Sequence, residues 1–394
     1  MTEDTNAKVL KRAAGRAARR PGFVAFDLAR FEEAAGKPAS WLGIRRDQVD
    51  ALALCRTPRR GVHFGHDLIA IASHVGIKPG RLASLLRLVD VLPELQARAA
   101  ALAADDRPAA LLAAARDETD DHTALSQTPV AGPGLPGWLH DAVERFWSDA
   151  PALPSYPRDL EFAVLVGLPL AVIELPELSV RSIAQWLTAH KVELMLSGPD
   201  RRLRACLVAL GGVGLVFVDA GDDPTQRRVS LAHEAAHFIV EYLIPRDEVA
   251  RRRPELLSVL DGEREPTAEE RLSAILSDVP VGVHTHLLNR AESEATGLHE
   301  WRARRIALEL LAPETEVRSR ARQQGVRSAD ALRKLLVDDF GLPVALASDY
   351  ANQLADPVAR NDYGLLDLLR RRDAPDGPNQ ASGHTSDRGP EGDK

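Results

Sequence analysis

Apolar positions recur along this chain in two rhythms, a helical spacing of three to four residues and short unbroken runs of the kind buried strands show. From Phe23 to about Val89 the rhythm is helical. Phe26, Leu28, Ala29, Phe31 and Trp41 can form a small core there with Leu42 and Ile44. Leu68–Val75 predicts a helix, Gly76–Gly80 a turn and Arg81–Leu88 a second helix, which are helix-turn-helix proportions. From Leu92 an alanine-rich helix decays into a Pro/Gly linker, and the domain boundary falls at Gln127–Gly137. Beyond it, Trp138–Trp147 reads as an amphipathic helix and Phe162–Ile173 as a buried strand interrupted near Pro169. Ser179–His190 reads as a helix, and Arg204–Leu210 with Gly214–Asp219 as a hairpin joined by Gly211-Gly212. An apolar helix follows, with Ser230 as its N-cap and Pro245 as its stop, and later a second one from Glu300 to Leu311. Order ends with the 361–372 stretch. The expected fold class is therefore α+β, a small sheet with helices, preceded by an all-α segment.

The predicted organisation is a basic flexible arm (1–22), a helical segment of helix-turn-helix type (23–92) and an alanine-rich helix with linker (93–137). The largest domain follows (138–372), and then a disordered tail (373–394). At 394 residues the chain can build two domains and a substantial core. Its net charge of −7 argues against a surface that coats nucleic acid throughout. The charge is uneven, however: residues 1–60 carry 13 Lys/Arg against 7 Asp/Glu. Lys8, Lys11, Arg12, Arg16, Arg19 and Arg20 fit a solvated arm or a phosphate contact. Arg56, Arg59 and Arg60 stand beside a proline just before the Leu68 helix. Cys55 and Cys206 lie far apart without a Cys-x-x-Cys pattern, as expected in a reducing cytoplasm. The start is polar and then basic, and no apolar run is long enough to span a bilayer.

Chemistry concentrates in Ser230–Tyr242. His233, Glu234 and His237 form an H-E-x-x-H pattern. Residues four apart on a helix lie one turn above each other, so both imidazoles can reach one metal ion, with Glu234 beside it. The neighbours Leu231, Ala232, Ala235, Ala236, Phe238, Ile239 and Val240 make this a buried helix, and buried histidines need partners. A hydrolytic site needs a third protein ligand and an open position. Glu300 is the expected ligand, because Ala303, Ala307, Leu310 and Leu311 share its side of the helix. Glu309 falls on the opposite side, where solvent or an ion pair accounts for it. Glu292 and Glu294 are weaker candidates, expected in a loop. His284 and His286 would share a face in a strand, and fit either a metal site or a loop. Zinc is the default ion for a His/His/Glu set, and manganese is compatible with it. An oxyanion donor could come from Tyr242, Tyr350, His284, His286 or His299.

The blocks RRVSLAHEAAHFIVEYLIP and EWRARRIALELLAP together resemble the ImmA/IrrE family of metallo-endopeptidases. The approach GLVFVDAGDDPTQRRVSLAHE is similar to that family's strand-to-helix entry, and the likeness covers roughly residues 160–355. It implies a zincin-like domain with His233, His237 and Glu300 as metal ligands and Glu234 as the catalytic base. Ile306 stands where the family often has Phe, and an insertion at about 250–290 lengthens the spacing between the two blocks. The Arg56–Arg60 segment resembles the end of a Cro/repressor-type helix-turn-helix domain, with Trp41–Leu54 in the recognition position; a helical bundle for protein docking explains the same pattern. The likeness further implies cleavage of a repressor-type regulator in a bacterial stress or mobile-element response, with DNA as a partner through residues 23–92. A second reading is a DNA-binding regulator or antitoxin-like protein whose metal domain senses or scaffolds.

Overall fold

The computed structural model describes residues 2–35, 43–104, 112–117, 137–148, 153–192, 199–210, 212–260, 267–270 and 294–355. Five helices come first: α1 (Thr2–Ala17), α2 (Val24–Ala35), α3 (Arg46–Ala53), α4 (Phe64–Val75) and α5 (Pro79–Ala104). Strand β1 (Leu112–Asp117) precedes helices α6 (Gly137–Trp147) and α7 (Leu160–Gly167). Then come β2 (Leu170–Leu175), α8 (Val180–Ala189), β3 (Leu203–Leu210) and β4 (Val213–Asp219). Helix α9 (Pro224–His237) continues through a π-helical stretch, Phe238–Leu243, into α10 (Ile244–Arg252). After short turns over 254–260, the last helices are α11 (Glu294–Leu311), α12 (Glu314–Gln323), α13 (Ala329–Asp338) and α14 (Val344–Ala355). The protein is thus a mostly helical α+β fold around a small mixed sheet. No helix among the described residues is long and apolar enough to cross a membrane.

The sheet order is β1-β3-β4-β2, with β1–β3 and β3–β4 antiparallel and β4–β2 parallel. The hairpin register pairs Leu210 with Val213, so the turn is as tight as the glycine pair requires, and Gly212 adopts φ +90°. β2, β3 and β4 are buried along nearly their whole length, because helices cover both faces: α9 packs on β3 and β4, and α5 on β2 and β4. Gly214 is required where β4 passes β2, since a Cβ there would sit 2.7 Å from Leu170 Cδ2.

Several expectations are corrected. The stretch 162–173 is not one strand. Asp159 caps Glu161 N at 3.1 Å and starts α7, whose end before Pro169 leaves only Leu170–Leu175 to pair as β2. The basic arm is a helix, α1, and its end is anchored by buried Ala17 against α2 and α3. In the alanine-rich segment the helix ends at Ala104 and Leu112–Asp117 pairs with β3 as an outer strand. Partner pairing overrides the weak β propensity of its three alanines. Helix α5 runs through position 93 with Pro93 inside it, and packs on α2 and α4 as well as on α7 and β2. Its buried Leu82, Leu85, Leu88 and Leu92 make it a core helix far longer than a recognition helix. In the expected recognition position, Arg46–Ala53 is the helical part among the described residues. Arg59 is clamped to Asp67 by two bonds of 2.8 and 2.9 Å, and Arg56 lies over the Phe23 ring. Trp41, the Gln127–Pro136 boundary, His284, His286, Glu292 and the 361–372 and 373–394 stretches lie outside the described residues.

A buried polar knot closes the far end of α11. Arg305 reaches Glu309 at 3.7 Å and Glu314 at 3.0 Å, and Glu309 accepts the Glu314 amide at 3.3 Å. Arg158 donates to the Leu310 carbonyl at 2.6 Å with its guanidinium over Trp147 and Tyr156. Glu309 is therefore ion-paired but not solvent-facing: it is 2% exposed, between Arg305 and the start of α12 at Glu314. Burial raises its carboxyl even with Arg305 beside it. Replacing Arg305 with alanine is expected to strand that carboxylate and lower the unfolding free energy by about 3–5 kcal/mol. Urea unfolding checks this; a loss below about 1 kcal/mol would mean the knot carries little stability.

Candidate metal centre

Helix α9 begins where Asp223, followed by Pro224, accepts the amides of Thr225 at 2.8 Å and Gln226 at 3.1 Å. The cap is thus Asp223, and Ser230 is a fully buried residue inside the helix. Pro245 does not stop the run. It follows the π-helical stretch and stands in the first turn of α10, the part of a helix where proline is best tolerated. Between the two helices, the π-helical stretch follows directly on His237, and such widened turns are frequent at functional sites.

His233 and His237 lie on the side of α9 that faces α11, and Glu300 approaches them from α11. The two Nε2 atoms are 3.1 Å apart. One Glu300 oxygen is 3.2 Å from His233 Nε2 and the other is 3.5 Å from His237 Nε2. A tetrahedral ion with donors at about 2.0–2.2 Å sets neighbouring donors about 3.3–3.5 Å apart, so this triangle fits such an ion. The histidines are nearly buried, whereas the Glu300 side chain is 40% exposed, which leaves the triangle approachable from one side. A fully closed structural site lacks such an approach. Burial alone would depress the His237 imidazole, but the Glu241 and Glu300 carboxylates outweigh it and hold it well above its usual value. Burial likewise works to raise the Glu300 carboxyl, and the two imidazoles hold it well below its ordinary value. Both directions say that this cluster of carboxylates calls for positive charge, which a cation supplies.

Glu241 was absent from the sequence expectations. Its Oε1 lies 2.8 Å from His237 Nδ1 and its side chain is 4% exposed. A carboxylate on Nδ1 fixes the ring so that Nε2 points at the other two donors. The signal was legible: a carboxylate one turn after the second histidine, in an otherwise apolar run, needs a buried partner. Glu241→Ala is expected to weaken zinc binding about 10–100-fold, measured by competition with a chromophoric chelator. Unchanged affinity would remove Glu241 from the site.

Glu234 is completely buried on the same helix turn, toward β3, where burial pushes the Cys206 thiol well up and the Glu234 charge adds to that shift. Glu294 and Gly297 belong to α11, not to a loop, and so does the backbone of His299. On the C-terminal side of Glu300, the expected stripe is buried, with Ala303, Ala307, Leu310 and Leu311 all at most 4% exposed. Trp301, next to Glu300, packs on Trp138 of α6 with ring centroids 5.6 Å apart, and Arg302 lies over the Trp138 ring. Two oxyanion candidates are placed elsewhere. The Tyr242 hydroxyl accepts the Gly212 amide at the hairpin turn. Tyr350 donates its hydroxyl to the Ala312 carbonyl at 3.2 Å in the Arg305 knot, and burial pushes its phenol well up, so it stays neutral. No protein-family model, no curated protein and no solved structure matches the chain.

Proposed function

We propose that this chain is a metal-dependent endopeptidase of the kind that the H-E-x-x-H block and the Glu300 block resemble, the ImmA/IrrE type. The observation that carries the reading is the approachable triangle of His233, His237 and Glu300, with Glu234 between the two histidines on one helix. A divalent cation there, zinc by preference and manganese as the compatible second, supplies Lewis acidity and lowers the pKa of water. Glu234 is the proton carrier: it takes a proton from the attacking water and returns it to the amine that leaves. Glu241 keeps His237 oriented throughout. Of the two outer strands of the sheet, β1 and β2, β1 is the edge that packs beside α9. An extended substrate segment pairs along that edge and brings its scissile bond to the triangle.

The proposed substrate is a repressor-type regulator inside a bacterial cell, docked through residues 23–92. Protein docking is favoured over operator binding, because the recognition position carries, among the described residues, only a short helix, Arg46–Ala53, and Arg59 beyond it is clamped to Asp67. The experiment compares new protein N-termini in cells expressing the intact chain and the Glu234→Gln form. A single cut in a small regulator, seen only with Glu234, is expected. No difference at rest or under stress would overturn the reading and favour a regulator whose metal domain senses or scaffolds.

A further inference from the structure

A cavity of about 300 Å³ lies away from the metal triangle, where α2, α4, α5, α6 and the end of α7 converge. Its walls are held in place by polar bonds. Thr57 donates its hydroxyl to Asp27 at 2.7 Å, tying the loop before α4 to α2. Arg87 donates to the carbonyls of Leu165 at 2.5 Å and Val166 at 2.8 Å, satisfying the end of α7, while its guanidinium lies over the Phe64 ring. Arg60 bonds Asp90 across the opening at 2.8 Å.

The charge of this cavity is opposite to that of the chain. Arg30, Arg60, Arg87 and Arg145 line it against Asp27 and Asp90, and Asp247 pairs with Arg145 at 3.2 Å from outside the lining, which leaves four positive groups against three negative in a protein of net charge −7. Arg30 is exposed and Arg60 is 77% exposed, so each guanidinium keeps donors for a further acceptor. Low-dielectric walls focus such a field, and arginine forks match carboxylate and phosphate oxygens. Leu86, Val166, Leu168 and Pro169 complete the lining with apolar groups. The volume is at the small end of what metabolite sites occupy, and too small for a protein segment to enter deeply.

We infer that this cavity binds a small organic anion, a phosphate or carboxylate group on a compact apolar body, with Arg30, Arg60 and Arg145 taking the anionic group. The site is independent of the peptidase reading, and its test uses binding alone. The full-length protein is titrated calorimetrically with adenosine monophosphate, benzoate and inorganic phosphate, with adenosine as the neutral control. One of the two organic anions is expected to bind one-to-one with a dissociation constant below about 1 mM. Binding should weaken as sodium chloride is raised. The Arg30→Ala/Arg145→Ala chain, its fold checked by circular dichroism, is expected to bind at least about tenfold more weakly. Arg181→Ala, an exposed arginine elsewhere, should leave binding unchanged. Absence of saturable binding by all three anions would overturn the inference. So would equal binding of adenosine, a double variant that binds like the parent chain, or inorganic phosphate binding as tightly as the organic anions.

Discussion

Glu300→Ala protein, purified beside the parent chain, is expected to carry little or no metal by elemental analysis. Glu300 is the sole ligand of the triangle that comes from outside α9, and it closes two of its three edges, at 3.2 and 3.5 Å. Without it, two imidazoles 3.1 Å apart would face the ion with no anionic donor among them. The loss should exceed the roughly 10–100-fold in affinity typical of removing a supporting carboxylate such as Glu241. Stability should change far less than occupancy, because Glu300 is 40% exposed and alanine suits a helix interior. Full occupancy in the variant would instead point to His284, His286 or His299 as the third ligand.

Glu234→Gln is expected to keep its metal and lose its activity. Glutamine preserves the shape of a completely buried side chain, so the histidine positions should hold. It cannot carry a proton from water to the leaving amine, and general-base losses run to about 10²–10⁴-fold. Metal content and cleavage of the substrate identified from new N-termini are measured on the same preparation. A variant that retains cleavage would disqualify Glu234 as the base; one that loses metal as well would leave the base assignment without support.

Where side-chain period and chain geometry act locally, the sequence was readable. The helix Trp138–Trp147, the helix after Ser179 and the hairpin with its glycine turn all stand where the pattern puts them. So does the apolar stripe that follows Glu300. Where the outcome depends on what lies opposite, it was not. The Asp223 cap took precedence over Ser230, because Asp223-Pro224 nucleates the helix two turns earlier. Pro245 was tolerated because the π-helical stretch restarts the ladder just before it. Glu309 takes the ion pair that its side of the helix allowed, with Arg305, but its burial to 2% exposure comes from neighbours outside its own helix, such as Glu314.

The sequence by itself pointed to the residues that could hold a metal ion. The H-E-x-x-H spacing stacks His233 and His237 on one helix face, whatever surrounds them. The placement of Glu300 at the end of a buried stripe marks it as a partner in the same local way. Only the tertiary structure decided that the three donors meet, since their distances arise from the packing of α11 on α9 across some sixty intervening residues. It also decided the partner of His237, the covering of Glu309, and the role of Leu112–Asp117 as an outer strand, whose alanines take strand form only because β3 offers hydrogen bonds. Periodicity is a property of one segment; juxtaposition is a property of two.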